Sequence, residues 1–212
     1  MFQITDVIKH LLIINLIFFF GSMILDRTGV LASDMLACFY PGSVYFRPYQ
    51  VVTHMFMHAN IPHLFFNMFA LVMLGPYVES FLGPKRFLSM YLISGFGALS
   101  LHMLIWYLQL SGLSAAQYAA EMHNPSLAVV GASGAVYGVL AAFAFLFPNT
   151  RLMLLFPPIP IKAKYLVLGL VAFDLFAGIS GRGTGIAHFA HVGGALFGFL
   201  TLLFWRSRFT HR

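Results

Sequence analysis

The sequence predicts an all-α fold, a polytopic membrane helical bundle of six transmembrane helices. Of the 212 residues, 60% are hydrophobic and only 8% are charged, which is unlike a soluble domain. The apolar residues fall in six runs near the ~20 residues that cross a bilayer, and the fifth is the shortest. These runs are Val7–Leu25, Ile61–Phe81, Phe87–Leu108, Leu127–Phe147, Tyr165–Ile179 and Ile186–Trp205. The length fits one compact domain, so we expect residues 1–212 to form a single domain in lipid.

Basic residues set the expected orientation of the helices. Lys and Arg concentrate on the cytoplasmic side of short membrane loops. With the N-terminus inside, the cytoplasmic face holds Lys9, Lys85, Arg86, Arg151, Lys162, Lys164, Arg206, Arg208 and Arg212, and the outer face holds Arg27, Arg47 and Arg182. This bias predicts that both termini are cytoplasmic. It also explains the net charge of +6 without a nucleic-acid partner, since basic loops face anionic lipid.

The first run and the loop after it are expected to stay in the protein. No small-x-small cleavage site follows Leu25, so we interpret the run as a retained helix and not as a signal peptide. The outer loop Asp26–Asn60 is long and rich in aromatic residues, which favours a functional loop lying partly in the membrane interface. The single cysteine, Cys38, excludes an internal disulfide and a multi-cysteine metal cluster.

The second run carries polar residues at both ends. His63 and Asn67 are four residues apart, so a helix places them on one face, and in a membrane that face points inward. Near the other end, Gly75, Glu79 and Gly83 repeat at a spacing of four. Glu79 is expected to tie helices together at the cytoplasmic end. The third run contains small packing residues and no predicted chemistry.

The fourth run contains the stretch Gly131–Gly138, in which Ser133 is the only hydroxyl group besides Tyr137. Gly134 and Gly138 stand one turn apart, a spacing that lets membrane helices approach closely. A nucleophilic serine is the second interpretation, and it requires a base and an oxyanion site elsewhere. We expect Ser133 about six residues inside the helix, roughly 10 Å below the outer surface at ~1.5 Å per residue.

The last two runs supply further polar groups. Asp174 is the only acid well inside an apolar run, and we expect it to hydrogen-bond neighbouring helices. The outer loop Ser180–Gly185 contains three glycines and is predicted to be a mobile lid. In the sixth run His191 precedes a second small-residue pair, Gly194 and Gly198. The cytoplasmic loop Asn149–Lys164, before the fifth run, contains three prolines and is not helix interior.

Alternating crossings bring the starts of runs two, four and six to one face of the membrane. His191 can then act as base for Ser133, while His63 and Asn67, with the Ser133 backbone N–H, donate to an oxyanion. Tyr137, one turn below Ser133, can stack on the imidazole of His191. No acid is predicted beside His191, which favours a Ser–His dyad over a triad.

These residues resemble the rhomboid family of intramembrane serine proteases, in its minimal six-helix prokaryotic form. The resemblance rests on His-x-x-x-Asn at His63 and Asn67, Gly-x-Ser-Gly at Gly131–Gly134 with Tyr137, and Ala-His-x-Gly-Gly-x-x-x-Gly from Ala190 to Gly198. It covers the chain from about Tyr49 to the end of the sixth helix. Many members carry Trp-Arg where this chain has Tyr49-Gln50.

The resemblance implies a catalytic dyad of Ser133 and His191, an oxyanion hole lined by His63 and Asn67, and support of the histidine by Tyr137. It further implies cleavage of single-pass membrane proteins near the outer end of their transmembrane segments, without metal or cofactor. We expect the plasma membrane of a prokaryote, with the active site open to the extracytoplasmic side. The additional N-terminal domains and seventh helix of some relatives are not expected.

Other classes of protein fit less well. A transporter or channel is disfavoured because the chain shows no inverted repeat and its polar residues gather at one face. A catalytically dead rhomboid-like protein is disfavoured because both dyad residues are present. His54 and His58 are four apart, but helical zinc proteases need a Glu within His-Glu-x-x-His. We expect these two histidines, and His188, to be hydrogen bonders that anchor loops.

Overall fold

The computed structural model describes residues 3–154, 158–180 and 187–206, and each predicted apolar run contains a long helix. The long helices are α1 (Asp6–Arg27), α4 (Ile61–Leu82), α5 (Pro84–Leu110), α7 (Ser133–Leu146), α8 (Ala163–Ile179) and α9 (His188–Arg206). The short helices are α2 (Ala32–Leu36), α3 (Gln50–Thr53), a 3₁₀ turn at His54–Phe56, and α6 (Ala115–Met122). The strands are β1 (Cys38–Phe39), β2 (Ala128–Val129), β3 (Arg151–Met153) and β4 (Pro160–Lys162).

The predicted helical membrane bundle is confirmed, and the number of spans stays a prediction. In the described parts of the chain, α1, α4, α5 and α9 are long and apolar enough to cross a membrane. Helix α7 has 14 residues and α8 has 17. At 1.5 Å per residue α7 extends about 21 Å, which is less than the ~30 Å hydrocarbon core.

The glycine pairs of α7 and α9 lie against each other. A Cβ added to Gly194 would overlap the backbone carbonyl of Gly134, and one added to Gly198 would lie 2.6 Å from the Cα of Gly138. A Cβ on Gly138 would in turn meet the side chain of Ser94 on α5. The absence of side chains therefore lets α5, α7 and α9 pack backbone to backbone.

The start of α7 differs from the sequence prediction. We expected Ser133 about six residues inside a helix, but α7 begins at Ser133 itself. Ahead of it, Ala128 and Val129 form β2, which pairs antiparallel with β1 in the first outer loop, Val129 opposite Cys38 and Ala128 opposite Phe39. Gly131 then turns the chain with φ of +122°, a backbone conformation that favours glycine. Ser133 thus stands at a helix N-terminus.

The first outer loop is folded around the side chain of Gln50. Gln50 is fully buried, and its amide donates to the carbonyl oxygens of Asp34, Met35 and Tyr45 at 3.1–3.3 Å. Its side-chain oxygen accepts from the N–H of Arg47 at 2.9 Å. One residue therefore ties together α2, the following turn and α3. Gln50 is thus a hydrogen-bonded anchor of the loop.

Glu79 ties α4 to the start of α1, as predicted. Its carboxylate accepts hydrogen bonds from the hydroxyl of Thr5 and, at 3.3 Å each, from the N–H groups of Val7 and Ile8. These N–H groups belong to the first turn of α1, where backbone N–H groups have no acceptor within their own helix. Glu79 therefore caps α1 from a neighbouring helix.

Candidate active site

Ser133 and His191 meet where α7 and α9 begin. Ser133 is the first residue of α7, and His191 lies in the first turn of α9. The Nε2 atom of His191 is 2.9 Å from Oγ of Ser133, within hydrogen-bond distance. The His191 side chain is 13% exposed, so the pair is shielded but accessible. The glycine contacts between the two helices make this short distance possible.

Tyr137 holds the imidazole of His191 by stacking. Its ring lies parallel to that of His191, with centroids 4.3 Å apart and an angle of 10° between the planes. Tyr137 is four residues after Ser133, so both side chains leave the same face of α7. The structure thus brings together Ser133, His191 and Tyr137.

His63 also reaches this site. A Cβ added to Gly131 would lie 2.7 Å from Nε2 of His63 and 3.6 Å from Oγ of Ser133, so only glycine leaves room for the ring. Asn67 is buried one turn further along α4, and its amide donates to the carbonyl oxygen of His63 at 2.9 Å. One N–H of the Asn67 amide is thereby used, and the second is its remaining donor.

The N-terminus of α7 adds backbone donors at the same place. The first N–H groups of a helix have no intrahelical partner, and the helix dipole places partial positive charge there. Because Ser133 is the first helical residue, its own backbone N–H is one of these groups. A developing oxyanion next to Ser133 Oγ would therefore meet a favourable potential. This arrangement follows from the helix start that the apolar pattern did not reveal.

Asp174 contacts His191, and our expectation that no acid lies beside this histidine is wrong. Oδ1 of Asp174 is 3.1 Å from Nδ1 of His191 and 2.6 Å from Nδ1 of His188. The Asp174 side chain is 4% exposed. In sequence Asp174 has no basic neighbour. The sequence did contain one indication of this contact. Asp174 lies five residues before the end of α8 at Ile179, and His191 lies at a similar depth, in the first turn of the next helix.

His188 also has a different role from the one predicted. We expected it to anchor a loop, but it lies on α9 and contacts Asp174. The ligand atoms of Asp174, His188 and His191 all lie within 4.8 Å of one another, so these side chains could hold a metal ion. Our expectation of a metal-free and cofactor-free site therefore stays a prediction.

His54 and His58 are local hydrogen bonders of the first outer loop. Nδ1 of His54 is 2.9 Å from the carbonyl oxygen of Gln50, and the His54 carbonyl accepts from the N–H of Gly131 at 2.8 Å. Nδ1 of His58 is 3.3 Å from the Phe56 carbonyl oxygen. Burial lowers the pKa of His54 to about 4, and burial with the nearby His63 lowers that of His58 to about 4. Both rings are therefore neutral near pH 7.

The predicted lid, Ser180–Gly185, lies outside the described residues from residue 181 onward. Of this segment the structure describes only Ser180, which follows α8 and donates from its hydroxyl to the carbonyl oxygen of Ala177 at 2.8 Å. The lid thus stays a prediction from the sequence.

Comparison with protein families decides what kind of protein this is. The model of the rhomboid domain matches residues 45–208, which is more than half of the chain. This chain belongs to the rhomboid family. The match begins in the first outer loop and includes α4, α5, α7, α8 and α9.

Individual relatives agree with this assignment. Rhomboid protein 1, mitochondrial, of Saccharomyces cerevisiae is 35% identical over 151 residues, 71% of this chain and 40% of that protein. Rhomboid protease AarA of Providencia stuartii is 32% identical over 158 residues, 69% of this chain and 52% of AarA. RHOMBOID-like protein 12, mitochondrial, of Arabidopsis thaliana is 32% identical over 150 residues, 70% of this chain and 44% of that protein. The rhomboid chain spans about half of these relatives or less.

The relatives contradict the membrane that we expected. We predicted the plasma membrane of a prokaryote, but the yeast and Arabidopsis relatives are both mitochondrial by name. The expectation that the active site opens to the extracytoplasmic side belonged to the same prediction and is withdrawn with it.

Proposed function

We propose that this rhomboid is an intramembrane serine endopeptidase that uses Ser133 and His191 as a catalytic dyad. The observation that carries the proposal is the 2.9 Å separation of His191 Nε2 and Ser133 Oγ. Membership in a family that includes the protease AarA supports it. The substrates we propose are single-pass transmembrane proteins, cut in or near the membrane.

The chemistry follows from the placement of the two side chains. His191 Nε2 accepts the Ser133 proton while Oγ attacks the peptide carbonyl, and the imidazolium then protonates the leaving amine. A water, activated by the same nitrogen, releases the acyl group from Ser133. His63, Asn67 and the first N–H groups of α7 are the proposed donors to the oxyanion of each tetrahedral intermediate.

The bundle must also admit a peptide from lipid. A helical peptide bond is hydrogen-bonded and shielded, so the substrate helix has to unwind locally before Ser133 can reach its carbonyl carbon. We propose six spans, with α7 and α8 as the short ones, both termini on the same basic side of the membrane and one domain over residues 1–212. A mitochondrial membrane is the proposed location, from the names of the relatives.

Cleavage of a single-pass model substrate tests the proposal. The full chain, purified in detergent, is compared with Ser133→Ala and His191→Ala, each with and without a chelator. We expect the wild type to cut with or without the chelator and both variants to lose cleavage, because each removes one partner of the 2.9 Å pair. Losing one member of a catalytic Ser–His pair costs about 10⁶-fold in kcat in a soluble serine protease.

Two results would contradict this function. Cleavage that disappears with chelator and returns with added zinc would indicate a metal at Asp174, His188 and His191. Absence of cleavage over a varied substrate panel, with no labelling of Ser133 by a fluorophosphonate, would favour a protein that transports or binds membrane clients.

A further inference from the structure

The side of His191 that faces away from Ser133 is occupied by a buried carboxylate. The two ring nitrogens of His191 have different partners, Ser133 Oγ at 2.9 Å from Nε2 and Asp174 Oδ1 at 3.1 Å from Nδ1. The ring plane is set by the stacked Tyr137. Each nitrogen of the imidazole therefore has a hydrogen-bonding partner, and one face of the ring is covered by Tyr137.

We propose that Asp174 is a positioning residue that fixes the tautomer of His191, with His188 holding the carboxylate in place. This inference rests on the proposed function of Ser133 and His191. It adds to the dyad a third and a fourth side chain, which lie on the two helices α8 and α9. Neither touches the substrate carbonyl, so both act through His191.

The tautomer follows from what a carboxylate can do. An ionised Asp is an acceptor only, so the proton of a neutral His191 in contact with it sits on Nδ1. Nε2 then carries the lone pair, and it faces the Ser133 hydroxyl. When Nε2 takes the serine proton, the resulting imidazolium lies beside a negative charge. The opposite tautomer would place an N–H against Ser133 and remove the base.

His188 explains how a carboxylate is retained at this depth. The Asp174 side chain is 4% exposed and the His188 side chain is 5% exposed. A buried carboxylate with one donor would be poorly compensated, and the loss of hydration is costly unless further hydrogen bonds replace it. Nδ1 of His188, at 2.6 Å, gives Oδ1 its second donor. We therefore expect His188 to keep Asp174 ionised and aimed at His191.

A merely structural role for Asp174 makes a different prediction. If the carboxylate only tied α8 to α9, its loss would lower stability without changing the protonated nitrogen of His191. The test therefore needs a readout of the tautomer as well as of activity. It also needs a control on α8. Val167→Ala provides one, because Val167 is apolar and buried and precedes Asp174 by two helical turns, about 10 Å along the axis.

The first measurement is the kinetics of substrate cleavage by Asp174→Asn, His188→Ala and Val167→Ala in the full chain. For Asp174→Asn we expect kcat to fall about 10²- to 10⁴-fold, the upper figure being that of the corresponding change in a soluble triad. KM should stay within about 2-fold, because the interaction is gained in the transition state. His188→Ala should give a smaller loss in kcat, and Val167→Ala should retain the wild-type kcat.

The second measurement is ¹⁵N NMR of histidine-labelled protein, with His191→Gln used to assign the His191 signals. We expect the wild type to carry its proton on Nδ1 and Asp174→Asn to shift toward the Nε2-protonated form. This readout does not depend on activity. It therefore tests the positioning role even if no substrate is cut.

The outcomes separate the two proposals. If Ser133→Ala abolishes cleavage while Asp174→Asn keeps both wild-type kcat and the wild-type tautomer, the dyad stands and the role of Asp174 is refuted. If Asp174→Asn and Val167→Ala lose activity together with their unfolding midpoints, while the His191 tautomer is unchanged, Asp174 is structural. If the wild type cuts no substrate and Ser133 is not labelled by a fluorophosphonate, the proposed function fails. The tautomer of His191 alone then decides the role of Asp174.

Discussion

Tyr137 shows at the residue scale how one side chain serves both packing and the proposed chemistry. It is one of the partly buried residues that pack against the main hydrophobic core, to which all six long helices contribute, and its ring is parallel to that of His191 at 4.3 Å. An imidazole that can rotate spends time away from Ser133. A flat partner at this distance restricts that rotation without competing for either nitrogen.

Replacing the aromatic ring of Tyr137 should weaken catalysis moderately. Aromatic contacts are worth ~0.5–1.5 kcal/mol beyond buried area, which corresponds to about 2- to 10-fold in rate. We expect Tyr137→Leu to lose kcat by this factor and Tyr137→Phe to retain most of it, measured as cleavage of a single-pass substrate. Equal losses in both variants would show that the hydroxyl, and not the ring, is what matters.

Spacing along the chain was enough to nominate most of the site residues. His63 and Asn67 share a helix face by their separation of four, as do Ser133 and Tyr137. The structure brings Ser133 and Tyr137 into contact with His191, and it places the His63 ring beside Gly131. Asp174 could not be assigned in the same way, because its contacts are made across two helices and depend on their relative depth. Sequence periodicity shows which residues share a face of one helix, and it does not show which residues of two different helices are in contact.

At the scale of elements, the contact between α7 and α9 determines whether Ser133 and His191 can meet. Gly134 and Gly138 lie against Gly194 and Gly198 with no side chain between the backbones. Any side chain here would separate the helices. The separation would be transmitted to the 2.9 Å pair, since Ser133 and His191 head the same two helices.

Gly194→Ala should therefore lower both stability and activity. Its methyl group would overlap the Gly134 carbonyl, and overpacking a tight interface costs ~1–3 kcal/mol. Gly169→Ala on α8 is the matched control, because no described atom lies within 4 Å of the added methyl and helix propensity improves. Thermal unfolding in detergent should show a lower midpoint for Gly194→Ala alone. Equal midpoints for both variants would mean that the helices can separate without cost.

Helix positions were predictable from apolar runs, and the start of α7 was not. The run Leu127–Phe147 is apolar for most of its length, yet its first six residues lie before α7 and include the strand β2. Hydropathy reports only that a segment avoids water, and a buried strand and a buried helix satisfy that condition equally. The positive φ of Gly131 and the partner strand in the first outer loop decide the outcome.

At the scale of the whole molecule, two buried histidines make the first outer loop sensitive to acid. His54 is 4% exposed and His58 is 3% exposed, and burial lowers the pKa of each from its ordinary value of 6.5 to about 4. Between these values the unfolded loop binds more protons than the folded one, so folding weakens as pH falls. The stabilisation is complete above about pH 6.5 and is lost as pH falls toward 4.

We expect hydrogen exchange of residues 36–60 to accelerate as the pH is lowered from 7 to 4.5, after correction for the intrinsic pH dependence of exchange. His58→Gln, which cannot be protonated, should flatten this dependence relative to the wild type. Residues 111–114, which connect α5 to α6, contain no histidine and serve as an internal reference. Equal acceleration of exchange in both segments would indicate global unfolding. It would refute the claim that His54 and His58 make the first outer loop sensitive to acid.

The pairing of β1 with β2 makes the first outer loop and the start of α7 one mechanical unit. Strand β1 belongs to the loop, β2 ends four residues before Ser133, and the His54 carbonyl holds the N–H of Gly131 between them. A lipid or a peptide that displaces the loop would therefore also shift the backbone that positions Ser133. A thinner or thicker bilayer would displace the same loop, so we expect membrane composition to alter the position of Ser133 through a ladder of two residue pairs.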